Sequence, residues 1–129
     1  MLELYRERLP ATPAAVRLAR HGVIDALTEA GIADAALLGD IALTVTEATT
    51  NAIRHAYPPG SDGHVDVTVN RAPSSIIVTV SDDGEGMKQA LPETHGLGVG
   101  LAIMNSQTER VEIASDTTGT VVTLHFTAA

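Results

Sequence analysis

The sequence contains no cysteine. Disulfide staples, thiolate metal ligands and thiol nucleophiles are therefore all excluded. Tryptophan is also absent, with one phenylalanine and two tyrosines, so the core must be packed from Val, Ile, Leu and Ala. Basic residues are scarce: 8 Lys and Arg against 16 Asp and Glu leave a formal net charge of −8. Duplex binding needs clustered Lys and Arg, so no direct nucleic-acid contact is expected. An anionic nucleotide remains admissible, because backbone N–H groups at a helix start hold phosphates without net positive charge. No apolar run approaches the roughly 18 residues of a membrane span. The opening Met1-Leu2-Glu3-Leu4-Tyr5-Arg6-Glu7 lacks the charged-then-apolar form of a secretion signal. The expectation is a cytoplasmic protein without a membrane segment. His21, His55, His64, His95 and His125 form no ligand-spaced pair.

The 129 residues suit one domain spanning 1–129. Residues 2–9 mix apolar and charged positions and run into Pro10, as a short edge strand would. Thr12-Pro13 has the form of an N-cap followed by proline at the first helical position. Val16, Ala19, Val23 and Leu27 then recur at helical spacing up to Gly31. A second helix is predicted from near Asp34 to just before Pro58, with Leu38, Ile41, Val45, Ala48 and Ala52 as its apolar stripe.

Two period-2 segments follow. Val65, Val67 and Val69 alternate with polar residues, as do Ile76, Val78 and Val80 with Ser75, Ile77 and Thr79, and the break between them predicts a hairpin. A short helix is expected over 99–107, then paired strands at 111–113 and 121–126 turning through 116–119. Strands arriving in pairs imply antiparallel hairpins with helices layered on one face. The predicted fold is an α+β two-layer sandwich whose mixed, mostly antiparallel sheet is covered by helices on one side.

Three segments carry candidate chemistry. On the second helix, Thr44, Glu47, Asn51, Arg54 and His55 fall on one side, read here as roughly opposite the apolar stripe. Taken singly this is an ordinary solvated face. An Asn one turn after a Glu nevertheless suits a magnesium nucleotide: Mg²⁺ takes only one or two protein oxygens beside the phosphates, and the nearby carboxylate can accept a proton or orient the attacking group. The second segment, Asp82-Asp83-Gly84-Glu85-Gly86-Met87, ends a predicted strand. It can be a plain turn. It also offers a carboxylate able to accept adenine's exocyclic amino group and repel the carbonyl of guanine, with glycines permitting close backbone approach. In the third segment, His95 to Met104, Gly96-Leu97-Gly98-Val99-Gly100-Leu101 opens a helix, where unpaired N–H groups meet phosphates. The Gly-Lys-Ser/Thr ending of a P-loop is absent.

In order, these segments resemble the N, G1 and G2 boxes of the gyrase, heat-shock chaperone, histidine kinase and MutL superfamily of ATPases. Within it the chain is most similar to the anti-sigma factor serine kinases of the RsbW and SpoIIAB type. The carrying residues are Glu47-Ala-Thr-Thr-Asn51-Ala-Ile-Arg54-His55-Ala-Tyr57, Asp82-x-Gly84-x-Gly86, Gly96-Leu97-Gly98-Val99-Gly100-Leu101 and a closing Gly119-Thr120-Val121-Val122. The opening Leu9-Pro10-Ala11-Thr12-Pro13 and the arginines Arg17 and Arg20 add to the likeness.

The resemblance implies a Bergerat-type, histidine-kinase-like ATPase fold. By it, Asn51 would coordinate Mg²⁺ and Glu47 would be the catalytic base. Asp82, supported by Thr120, would read adenine. Gly84, Gly86 and Met87 would line the base pocket, and Gly96, Leu97, Gly98, Val99, Gly100 and Leu101 would approach ATP, with Arg54 and His55 reaching its phosphates. It further implies a homodimer that sequesters a sigma factor and phosphorylates a serine on an anti-sigma antagonist of the STAS type. Only nine residues, Met87 to His95, stand where the family carries its lid. That keeps open a nucleotide-responsive binding protein without kinase activity. The detached ATP-binding half of a histidine kinase is a third reading, opposed by Glu47, since histidine kinases normally carry Asn there.

Overall fold

The computed structural model describes residues 1–56, 63–83, 110–116 and 119–128. Among these the element order is β1 (Leu2–Pro10), α1 (Pro13–Glu29), α2 (Ala35–Ala56), β2 (His64–Ala72), β3 (Ser75–Asp82), β4 (Arg110–Asp116) and β5 (Gly119–Thr127). The strands form one sheet in the order β1-β2-β3-β5-β4. All four pairings are antiparallel. The expected mixture reduces, among the described strands, to a purely antiparallel sheet. The expected helix over 99–107 lies outside the described residues.

Alternation decides which way each strand faces. Val65, Val67 and Val69 on β2, Ile76, Val78 and Val80 on β3, and Val122, Leu124 and Phe126 on β5 are all buried on one face. There α1 lies over β1 and β2, while α2 lies over β2, β3 and β5. Full burial of a Val, Ile or Leu contributes about 1.5–3 kcal/mol. An exposed ion pair such as Arg6–Glu3 is screened by water and adds little beside this. The aliphatic face therefore holds the two layers together.

The helix ends are set locally. Asp34 Oδ1 accepts the N–H groups of Ala36 (3.0 Å) and Leu37 (3.2 Å), capping α2. Thr12 occupies the N-cap of α1 without a side-chain capping bond, so Pro13 and the Thr12 carbonyl, which accepts from Ala15 N–H, set that start. After α1 the chain turns at Gly31 (φ 93°), with Ile32 N–H bonded back to the Leu27 carbonyl at 3.0 Å. The buried stripe of α1 is Ala15, Ala19, Val23 and Leu27. Val16, expected in that stripe, is only partly buried. The small Ala15 faces inward where the helix lies close to its neighbours.

Candidate functional site

The direction of α2 fixes the site. Arg71, near the end of β2, donates from Nη1 to the Ala30 carbonyl (3.0 Å), which pins the α1–α2 connection to that end of the sheet. The other end of the sheet holds the last β3–β5 pair, Asp82 and Thr120. α2 spans 22 residues, about 33 Å at 1.5 Å per residue. It therefore runs back along the sheet and delivers Glu47, Asn51 and Arg54 toward the end that carries Asp82.

Asp82 and Thr120 continue the inward alternation of their strands and are 8% and 2% exposed. Each is thus a polar side chain beneath the helices, in line with the valines that precede or follow it. Gly119 (φ 143°) opens β5 against Asp82, where a Cβ would overlap the Asp82 carbonyl oxygen. The close approach of the two strands at this point requires glycine.

On α2, Thr44 is fully buried and Asn51 is 8% exposed, whereas Arg54 is exposed. The polar side is thus not opposite the apolar stripe, as the sequence had suggested. At 100° per residue Asn51 stands only about 100° from the stripe centre, so this side grades from core into solvent. The Thr44 hydroxyl is satisfied by the carbonyls of Asp40 and Ile41. Among the described residues, the Asn51 Nδ2 is buried without a hydrogen-bond partner. A buried amide left unmatched costs about 1–3 kcal/mol, and such groups in a native fold call for an explanation. An oxygen-rich ligand supplies one: rotating the amide presents Oδ1 to a cation and keeps Nδ2 for an anionic oxygen. On this observation the donor set fits a magnesium nucleotide.

Glu47 is partly buried on the same flank. His55 belongs to the last turn of α2, and its side chain lies outside the described part. Gly84, Gly86, Met87, Gly96, Leu97, Gly98, Val99, Gly100 and Leu101 also lie outside the described residues.

Sequence reasoning missed Arg8. Its guanidinium bridges Asp66 on β2 (2.9 Å) and Asp83, the residue leaving β3 (3.4 Å). It thereby braces the chain next to Asp82 from the uncovered face. The signal is the opposite-charge pair Arg8–Asp66, visible only once the β1–β2 register is known.

Among the described residues, no helix is long and apolar enough to cross a membrane. The histidine kinase-like ATPase domain model matches residues 9–126. An anti-sigma F factor of Bacillus cytotoxicus is 35% identical over 101 residues, covering 70% of this chain and 68% of that protein. A crystal structure of the RsbU and RsbW domains of a Mycobacterium tuberculosis protein superposes with a TM-score of 0.73 at 25% identity, over 95% of this chain and 32% of that one. The histidine kinase domain of a blue-light activated histidine kinase from Erythrobacter litoralis gives 0.62 at 26% identity, over 70% of this chain and 44% of that one. The family model covers most of the chain, and the chain belongs to the histidine kinase-like ATPase family.

Proposed function

We propose that the chain is an ATP-binding anti-sigma regulator that transfers phosphate from ATP to a serine of an anti-sigma antagonist. The observation that carries this is the buried pair Asp82 and Thr120, at the sheet end to which α2 brings Asn51 with its unmatched Nδ2. The anti-sigma F factor name of its relative and the RsbW domain among its structural neighbours supply the regulatory context.

Asp82 would accept adenine's amino group, with Thr120 beside it holding the carboxylate or an intervening water. Asn51 would be the protein ligand to magnesium, whose charge, when bound, offsets that of the phosphates. Glu47, one helical turn before Asn51, would hold the proton released by the attacking serine hydroxyl. Arg54 and His55, in the same last turns, and the glycines at 84, 86, 96, 98 and 100 complete the proposed nucleotide contacts. The proposed partners are a sigma factor and its antagonist, and the proposed assembly is a homodimer.

Phosphotransfer from γ-labelled ATP to the cognate antagonist tests the assignment. Glu47→Ala should lower transfer by about 10²–10⁴-fold while ATP still binds. Undiminished transfer in that variant would remove Glu47 from the chemistry.

The nine-residue segment from Met87 to His95 favours a second reading: regulation of a partner by nucleotide state alone. Stoichiometric partner binding that responds to ADP and ATP, with no label reaching any antagonist, would select it.

A further inference from the structure

The far end of the sheet carries a second cluster that the nucleotide site does not use. Arg110 and Glu112 on β4 and His125 on β5 project from the face that the helices leave uncovered. Glu112 Oε1 lies 2.7 Å from His125 Nε2, and Arg110 Nη2 lies 3.2 Å from the same nitrogen. Arg110 Nη2 is also 3.5 Å from Glu112 Oε1.

These contacts cannot all be hydrogen bonds at once. Nε2 either carries a proton and donates to Glu112, or presents a lone pair to Arg110. At the 2.7 Å separation it donates to the carboxylate, and the Arg110 N–H directed at it is left without an acceptor there. His125 is held with a side-chain exposure of 16%, whereas Glu112 is 58% exposed.

Beside this cluster is a depression of about 410 Å³ lined by Ser74, Ser75, Arg110, His125 and Thr127. Ser75 and Thr127 are cross-strand partners, as are Arg110 and His125. A guanidinium, an imidazole and three hydroxyls thus converge on one space of small-ligand size. The carboxylate of Glu112 stands at its side. Ser75 is seven residues along β3 from Asp82, about 23 Å, and the depression opens on the opposite face of the sheet.

We propose that this depression is a binding site for a phosphate group, either free or carried on a phosphorylated side chain. A tetrahedral dianion accepts the fork of Arg110 and hydroxyl donors at the same time. His125 donates to it in place of Glu112, which swings into solvent. The site is separate from the proposed nucleotide pocket and does not depend on it.

The test is a proton–nitrogen NMR titration of the full chain with inorganic phosphate and, in parallel, with O-phosphoserine. Sodium chloride and sodium acetate at matched ionic strength are the references. Saturable shifts should centre on Ser74, Ser75, Arg110, His125 and Thr127. R110A should weaken binding at least about tenfold, as loss of a charge-assisted hydrogen bond predicts. E112Q should tighten it, because the competing carboxylate is gone. Arg110 is exposed, so R110A leaves the core intact, and an unchanged melting temperature checks this. Phosphoserine saturating at much lower concentration than phosphate identifies a phosphorylated side chain as the source. Equal saturation identifies the free ion, and either result supports the site. Shifts no larger than with chloride, equal binding of acetate, or affinity unchanged in R110A would overturn it. So would shifts confined to Asp82 and Thr120.

Discussion

Asp82 on β3 and Thr120 on β5 are cross-strand partners, and both side chains are buried on the face covered by the helices. A carboxylate held in line with Ile76, Val78 and Val80 is costly to desolvate. Under the proposed function, recognition of a base edge would account for its place. Mg·ATP or Mg·ADP at about 100 times the dissociation constant should add about 2.7 kcal/mol of stability, a rise of several degrees in melting temperature for a domain of this size. Mg·GTP should add little. In Asp82→Asn the adenine-specific rise should be lost. Equal stabilisation by GTP in the wild type would count against Asp82 as the reader of the base.

Gly119 should be sensitive for two reasons that act together. Its φ of 143° disfavours any side chain, and an added Cβ would lie 3.0 Å from the Asp82 carbonyl carbon and overlap the carbonyl oxygen. Gly119→Ala should cost about 2–3 kcal/mol and, by displacing Asp82, also reduce the ATP-induced rise. Gly31 is the comparison: its φ is 93°, but a Cβ there meets open space, so Gly31→Ala should cost only about 1 kcal/mol and leave the ATP response intact. Denaturant melts with and without ATP separate the two outcomes.

The strands and their facing were legible because alternating valines leave a period-2 signal that only one register satisfies. Likewise Pro58 and Asp34 marked the ends of α2 in the sequence. The placement of β5 between β3 and β4 was not legible, since local patterns carry no record of a crossover. Val16 shares helical spacing with Ala19, Val23 and Leu27, whereas close packing selects Ala15. Thr44 and Asn51 fall, on a helical wheel, on a polar side away from the apolar stripe. Their burial depends on how far the sheet wraps the flank of α2, which a helical wheel does not show. The Asp82 and Asn51 candidates came from motif chemistry; the structure adds burial to both and cross-strand pairing to Asp82.

The Asn51 amide makes a prediction that runs against ordinary experience of buried substitutions. Its Nδ2 has no partner among the described residues, and Asn is a poorer helix former than Ala. Asn51→Ala should therefore raise the stability of the ligand-free protein, by about 0.5–1.5 kcal/mol, while abolishing the response to Mg·ATP. Thermal melts of the variant with and without nucleotide measure both effects. A destabilised ligand-free protein would show that the amide serves the fold.

Thr49 allows the same physics to be tested away from the site. It is fully buried, its Oγ1 has no partner among the described residues, and at 100° per residue it stands on the other flank of α2 from Asn51. Thr49→Val keeps the shape and removes the unmatched hydroxyl, so it should stabilise by about 1 kcal/mol without changing ATP binding. Thr44→Val is the control. Its hydroxyl is bonded to the Asp40 and Ile41 carbonyls, so that substitution should give no gain. A urea titration of each variant gives the comparison.

Tyr5 and Gly22 should be energetically coupled across β1 and α1. A Cβ on Gly22 would lie 2.6 Å from Tyr5 Cε1 and Cζ, so the ring occupies the space where a side chain would stand. Burial, together with the nearby Glu7 charge, holds the Tyr5 phenol above its usual ionisation range. In the wild type, Gly22→Ala should lose by expelling the ring what it gains in helix propensity. In a Tyr5→Ala background the clash is absent, and Gly22→Ala should stabilise by about 0.8–1 kcal/mol. The double-mutant cycle measures the difference as a coupling energy. Phenol ionisation gives a second reading of the same contact. Because the folded-state value is raised, stability from this group is complete below the ordinary tyrosine range and is lost as pH rises through the folded value. Expelling the ring in Gly22→Ala should move its absorbance titration back toward that of a free tyrosine. Additive stabilities and an unmoved titration would show that the ring does not pack on Gly22 in solution.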